Sequence, residues 1–173
     1  MAALTDEMLR AVKGEADAQA VYREVKQTGD FAGFTRRFMH SDDGRVARNA
    51  FWVLTKATDQ ELSQLQGMLH ELMDLALKTE HSAVRRLSLN IIERLKMEED
   101  DLRTDFLDFC LDRMASVDEL PGIQAMSMKL AYRMCKYYPE LMDEFKMTLE
   151  SMETEYYKPA VNCVRSRILK GKL

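Results

Sequence analysis

The 173-residue chain contains few of the residues that interrupt helices. It has three prolines and seven glycines, and it lacks the alternation of apolar and polar residues that is typical of strands. Its three cysteines, Cys110, Cys135 and Cys163, are odd in number and unevenly spaced, which fits neither a disulfide framework nor a zinc motif. These absences favour an all-α protein in which the cysteines are small buried apolar side chains.

Signals for several functional classes are also missing. No apolar run is long enough to span a membrane, and the N-terminus lacks a signal-peptide pattern, so we expect a cytoplasmic protein without membrane contacts. The histidines His40, His70 and His81 share no ligand spacing with carboxylates or cysteines. No catalytic or cofactor motif occurs, so we predict no catalytic residue, no metal and no cofactor. The net charge of −4 gives no overall case for nucleic acid, but it leaves room for a local basic face.

The chain does contain a repeated helical pattern. In HSAVRRLSLNIIERLK, residues 81–96, the apolar residues follow the spacing of one helical face. With Val84 as the reference position, a small residue follows four places later, and two apolar residues follow at seven and eight places. The frame recurs at intervals of about 38 residues, which is the signature of a helical-repeat solenoid. The four reference positions are Val46, Val84, Ile123 and Val161.

Apolar residues at fixed distances before each reference position predict a unit made of an outer helix, a turn and an inner helix. We predict a single domain over 1–173, with an N-terminal helical cap at 4–29 and repeat units at 30–58, 59–97, 98–138 and 139–173. Several residues predict helix ends. Gly14 indicates a break between helices, and Gly29 indicates a helix C-terminus. Asp30 and Asp59 are predicted N-caps, and the acidic run at 98–101 predicts the start of an outer helix. The first turn of a helix suits Pro121, Pro139 and Pro159.

The segments SAVRRLSLNII and SDDGRVARNAFWVL resemble the inner-helix motif of the HEAT-repeat class and its armadillo-like relatives. Arg85 follows the reference residue Val84, and Asp43 stands three residues before Val46. The later units depart from this pattern. Leu120 and Lys158 replace the Asp, and Gln124 and Asn162 replace the Arg.

The resemblance covers about residues 30–173. It implies a right-handed α-α superhelix of about four helix pairs plus an N-terminal capping helix. It also implies a scaffold for binding, because the family uses this fold mostly to hold partners.

Charge is divided between the two kinds of helix. The segments around the four inner helices (45–58, 81–97, 120–138 and 156–173) carry an excess of basic residues, whereas the outer segments are acidic. This division predicts a basic inner face with an acidic back. The candidate binding residues are Arg48, Trp52, Lys56, Arg86, Asn90, Arg94, Lys129, Arg133, Lys136, Arg167 and Lys170.

Two interpretations of this charge pattern stay open. The basic face binds an acidic ligand, or its residues pair with the acidic outer helices and keep the surface solvated. Trp52, the single tryptophan, is either a stacking platform or a space-filling residue beside the N-terminal helix.

Two functions follow from the basic face. The first is a non-enzymatic scaffold that binds an acidic peptide, protein or other polyanion. The second is a DNA-binding protein related to the HEAT-like DNA alkylation repair glycosylases, since ADAQAVYREVKQTGDFAGF at the N-terminus is loosely similar to the opening of that family. We predict the first, with a protein or acidic peptide as partner, nucleic acid as the alternative, and no small-molecule cofactor.

Overall fold

A computed structural model describes residues 3–173, and within that range every regular element is helical. The all-α fold class is therefore confirmed. The chain divides into two compact units, the first ending at Lys96 and the second running from Met97 to Leu173. The bounds of the repeat units and the assignment of the whole chain to one domain stay predictions.

The first unit is built around one inner helix, α4. Helices α1, α2, α3 and α7 all pack against it, and α6 packs against α7. The helices of this unit are α1 (Asp6–Arg10), α2 (Glu15–Thr28), α3 (Phe31–Phe38), α4 (Gly44–Leu54), α5 (Asp59–Leu62), α6 (Leu69–Lys78) and α7 (Ser82–Arg94).

The second unit is arranged in the same way around the inner helix α9. Helices α8, α10 and α11 pack against α9. The helices of this unit are α8 (Thr104–Ala115), α9 (Pro121–Cys135), α10 (Pro139–Ser151) and α11 (Pro159–Leu169).

Most predicted helix ends are confirmed. Gly14 separates α1 from α2, and Gly29 ends α2 with a positive φ of 69°, a conformation that a residue with a Cβ adopts only with strain. The side chain of Asp30 accepts a hydrogen bond from the backbone N–H of Gly33. Each of the three prolines occupies the first turn of a helix, where its missing N–H costs nothing.

Two predictions about outer helices are wrong. Thr58, and not Asp59, caps α5, because its hydroxyl accepts from the N–H of Glu61 while the Glu61 carboxylate accepts from the N–H of Thr58. The outer helix after it is then interrupted by a 3-10 segment at Ser63–Met68. The acidic run at 98–101 forms a separate 3-10 turn, Glu99–Asp101, and α8 begins only at Thr104.

The repeated register corresponds to the buried core. Val46, Val84, Ile123 and Val161 all have 2% or less of their surface exposed. The pattern weakens in the last helix, where Leu169 is 40% exposed. Cys163 in the same helix is also exposed, which corrects the expectation that all three cysteines are buried.

The start of α4 lies close to the start of α7. An added Cβ at Gly44, the first residue of α4, would lie 2.5 Å from Cε1 of His81, the N-cap of α7. His81 is exposed and the contact is with the end of its side chain, so a larger residue at position 44 would require the imidazole to move.

In each of the inner helices α7, α9 and α11, one side chain near the start donates hydrogen bonds to backbone carbonyls of the preceding outer helix or turn. Arg85 donates from Nε to the Ala76 carbonyl at 2.9 Å and from Nη2 to the Thr79 carbonyl at 2.6 Å. The residues that replace this arginine make equivalent contacts. Gln124 donates to the Ser116 carbonyl, and Asn162 donates to the Thr154 and Tyr157 carbonyls. The departures from the family pattern thus preserve the interaction while changing the residue that makes it.

We expect Arg85→Leu to destabilise the first unit by about 1–3 kcal/mol, because it leaves covered carbonyls without a donor. The neighbouring substitution Arg86→Leu is the matched control. Arg86 is exposed, so its replacement should change the free energy of unfolding by less than about 0.5 kcal/mol. Urea unfolding followed by circular dichroism measures both values. Equal effects of the two variants would contradict the structural role of Arg85.

The small-residue position four places after the reference holds two serines with different surroundings. Both are fully buried, but the Ser88 hydroxyl donates to the Arg85 carbonyl at 2.9 Å, whereas the Ser127 hydroxyl has no hydrogen-bond partner. A buried hydroxyl without a partner costs free energy that an apolar side chain of similar size does not.

We therefore expect Ser127→Ala to stabilise the protein by about 1 kcal/mol. Ser88→Ala, which removes a hydroxyl that is hydrogen-bonded, should be neutral or destabilising. Thermal and urea unfolding of the two variants beside the parent chain provide the comparison. A destabilised Ser127→Ala protein would refute this account of the site.

Candidate ligand-binding groove

An open groove of about 550 Å³ lies on the first unit, beside α4 and α7. Its lining combines three cations, an indole, an amide, a hydroxyl and one aliphatic side chain. The lining residues are Lys13, Arg48, Trp52, Thr55, Arg86, Leu87 and Asn90. Four of them, Arg48, Trp52, Arg86 and Asn90, belong to the predicted basic face.

The repeat register explains why these four residues meet. Arg48 and Trp52 are four residues apart on α4, and Arg86 and Asn90 are four apart on α7, so each pair lies on one side of its helix. Both pairs stand two and six places after their reference valines. Since α4 and α7 pack against each other, the equivalent positions line the same groove.

The sequence did not predict three of the groove residues, Lys13, Thr55 and Leu87, and of these Lys13 alone is charged. Lys13 lies outside the repeated helices. It belongs to the connection between α1 and α2, which Asn49 holds against α4. The buried Nδ2 of Asn49 donates to the carbonyls of Leu9 at 2.7 Å and Val12 at 3.1 Å. A polar Asn49 among the apolar residues of an inner helix was the available signal that a backbone segment approaches α4 there.

A carboxylate from α2 pairs with one of the predicted binding residues. Lys56 Nζ lies 2.6 Å from Glu15 Oε1, and Gln19 Nε2 donates to the same oxygen at 3.2 Å. Hydrogen bonds from Lys56 and then Gln19 hold the pKa of Glu15 below its ordinary value, and Trp52 acts in the same direction. Lys56 is therefore occupied by an internal anion.

Arg94 also has a structural partner. Its Nη2 donates to the carbonyl of Ala57 at 2.7 Å and to Asp59 Oδ1 at 2.8 Å, and Nη1 lies 3.4 Å from the carbonyl of Thr55. These contacts join the last turn of α7 to the connection between α4 and α5. Lys56 and Arg94 occupy equivalent places, ten residues after their reference valines. Both are paired with carboxylates of neighbouring segments, in agreement with the interpretation that cations of the inner helices pair with acidic residues of other helices.

The remaining predicted residues lie in the second unit. Lys129 and Arg133 are half-buried on α9, and Lys136 lies with its Nζ 4.4 Å from the centroid of the Tyr132 ring. Arg167 and Lys170 are exposed on and just after α11. None of these five residues lines the groove of the first unit.

Other kinds of site find little support in residues 3–173. No group of histidine, cysteine, aspartate and glutamate in this range could hold a metal ion. Cys110 and Cys135 are buried free thiols, and burial raises the pKa of Cys135 to about 11. None of the helices described is both long enough and apolar enough to cross a bilayer.

Helices in alternating outer and inner positions, a shared register of buried residues and turns closed by side-chain donors define an α-helical repeat protein. A family model described as HEAT repeat domain matches residues 5–172, so the chain belongs to the HEAT-repeat family. The predicted resemblance is confirmed and extends through the N-terminal cap. Comparisons with curated proteins and with solved structures gave no match. HEAT repeats generally serve as protein-interaction scaffolds.

Because the ionised form of Glu15 is stabilised, we expect its protonation to occur at a lower pH than that of an ordinary glutamate. Trp52 is the only tryptophan, so its emission reports this titration directly. Lys56→Met should move the midpoint of the acid titration upwards, towards the usual glutamate range. Lys26→Met, which changes an exposed cation on the same helix as Glu15, should leave the midpoint in place. A midpoint insensitive to Lys56 would contradict the described contact.

Proposed function

We propose that the protein is a non-enzymatic interaction module whose groove on the first unit binds an acidic peptide segment of a partner protein. The observation that supports this proposal is the charge of the lining. Lys13, Arg48 and Arg86 enter one groove, and among the residues the structure describes no carboxylate lines it.

These three cations are available to a ligand. None of them forms an ion pair with another residue in 3–173, and the side-chain contact of Arg48 is to the neutral amide of Asn49 at 3.2 Å. Cations without an internal anion partner lose less on binding a carboxylate than paired ones, because no existing ion pair must be broken. They differ in this respect from Lys56 and Arg94.

The same lining supports binding over catalysis. Its polar groups are cations, the hydroxyl of Thr55 and the amide of Asn90, which recognise anions and hydrogen-bonding groups. A proton-transfer step at neutral pH needs a base such as a histidine or a carboxylate. The groove lining, as far as residues 3–173 form it, contains neither a histidine nor a carboxylate.

Titration of Trp52 fluorescence with an acidic peptide tests the proposal, and Arg86→Glu is the decisive variant. We expect this charge reversal to weaken binding by at least about tenfold, equivalent to about 1.4 kcal/mol, because one cation is lost and a repulsion added. Arg36→Glu is the matched control, since Arg36 is exposed on α3, away from the groove, and undergoes the same charge change.

Equal losses in the two variants would show that net charge, and not the groove, controls binding. A short DNA duplex in a salt series forms the second arm of the experiment. Phosphate neutralisation gives a steep fall of affinity with salt. Strong, salt-dependent binding of the duplex with no binding of the peptide would overturn the proposal in favour of the nucleic-acid alternative.

A further inference from the structure

We infer that the acidic segment carries a large apolar side chain between its acidic residues, and that Trp52 and Leu87 receive this side chain. The inference rests on the proposed function and specifies the ligand of the same groove. The groove lining contains apolar side chains as well as cations, and recognition of negative charge alone would not require the apolar side chains.

The apolar part of the groove comes from two helices. Trp52 on α4 is partly exposed, and Leu87 on α7 is 6% exposed at the same groove. The exposed part of the indole presents an apolar ring surface to the groove.

The cations come from three separate places around this apolar pair. Lys13 belongs to the connection between α1 and α2, Arg48 precedes Trp52 by one helical turn, and Arg86 adjoins Leu87 in sequence. A ligand that used only its negative charges would leave the exposed part of the indole in contact with water. A ligand with an apolar residue beside its acidic residues satisfies both parts of the lining at once.

The size of the groove agrees with such a ligand. Pockets of about 300–1,000 Å³ bury most of a drug-sized molecule. The groove, at about 550 Å³, therefore has room for one large side chain and part of its neighbours. Burial of a leucine or phenylalanine side chain from water contributes about 1.5–3 kcal/mol before the cost of immobilising it.

The cation two places after the reference position does not recur in every inner helix. The basic residue two places after the reference position occurs at Arg48 and Arg86, but Ala125 and Cys163 stand at the equivalent places in α9 and α11. The combination of cations at this position with Trp52 is therefore confined to the first two inner helices.

The test compares two fluorescently labelled peptides of the same length and charge, one with leucine and one with glycine between its acidic residues. Fluorescence polarisation with the full chain measures both affinities. We expect the leucine peptide to bind about tenfold more tightly, equivalent to about 1.4 kcal/mol. Trp52→Ala should reduce this ratio towards one while the salt dependence of binding persists.

Each outcome separates this inference from the proposed function. Equal binding of the two peptides to the parent chain overturns the inference and leaves acidic-peptide binding in place. Absence of binding by both peptides overturns both. The comparison on the parent chain does not depend on how well Trp52→Ala folds, and Trp52→Leu, which keeps an apolar side chain, should retain part of the preference. A single-stranded oligonucleotide of equal charge that binds more tightly than either peptide also overturns the inference.

Discussion

The last carbonyl groups of a helix have no partner within it, and a protein that packs helices closely must supply donors for those it covers. In this protein the donors are side chains on the inner helices. Arg85, Gln124 and Asn162 each reach back to carbonyls at the end of the preceding outer helix or in its turn. Arg165 adds a bond of 2.6 Å to the carbonyl of Leu149. Close packing of an inner helix on its outer helix depends on these contacts.

The same requirement divides the basic residues into two groups. Arg85, Arg94 and Lys56 are committed to carbonyls or to carboxylates of neighbouring segments. Arg48, Arg86 and Lys13 line the groove without an ion pair inside residues 3–173. Lys56 and Arg94, each ten places after a reference valine, pair with segments that precede their own helix in the chain. Part of the basic residues of the inner helices therefore joins neighbouring helices, and the proposed binding involves only the others.

The sequence predicted the parts of the structure that depend on periodic burial. Val46 and its equivalents are buried as the register requires, and the spacing brought Arg48, Trp52, Arg86 and Asn90 into one groove. It could not predict Lys13, because this residue lies near α4 through the contacts of Asn49 with the end of α1 and the segment that follows it. It also missed the 3-10 segment at Ser63–Met68 and the exposure of Leu169, where local hydrogen bonding and the end of the helix array replace periodic packing.

The backward direction of these donors has a consequence for synthesis on the ribosome. The chain emerges from its N-terminus, so α6 leaves the exit tunnel before Arg85, and α10 leaves before Arg165. While only an outer helix has emerged, its last carbonyls bond to water, and they gain their side-chain donors once the following inner helix has emerged.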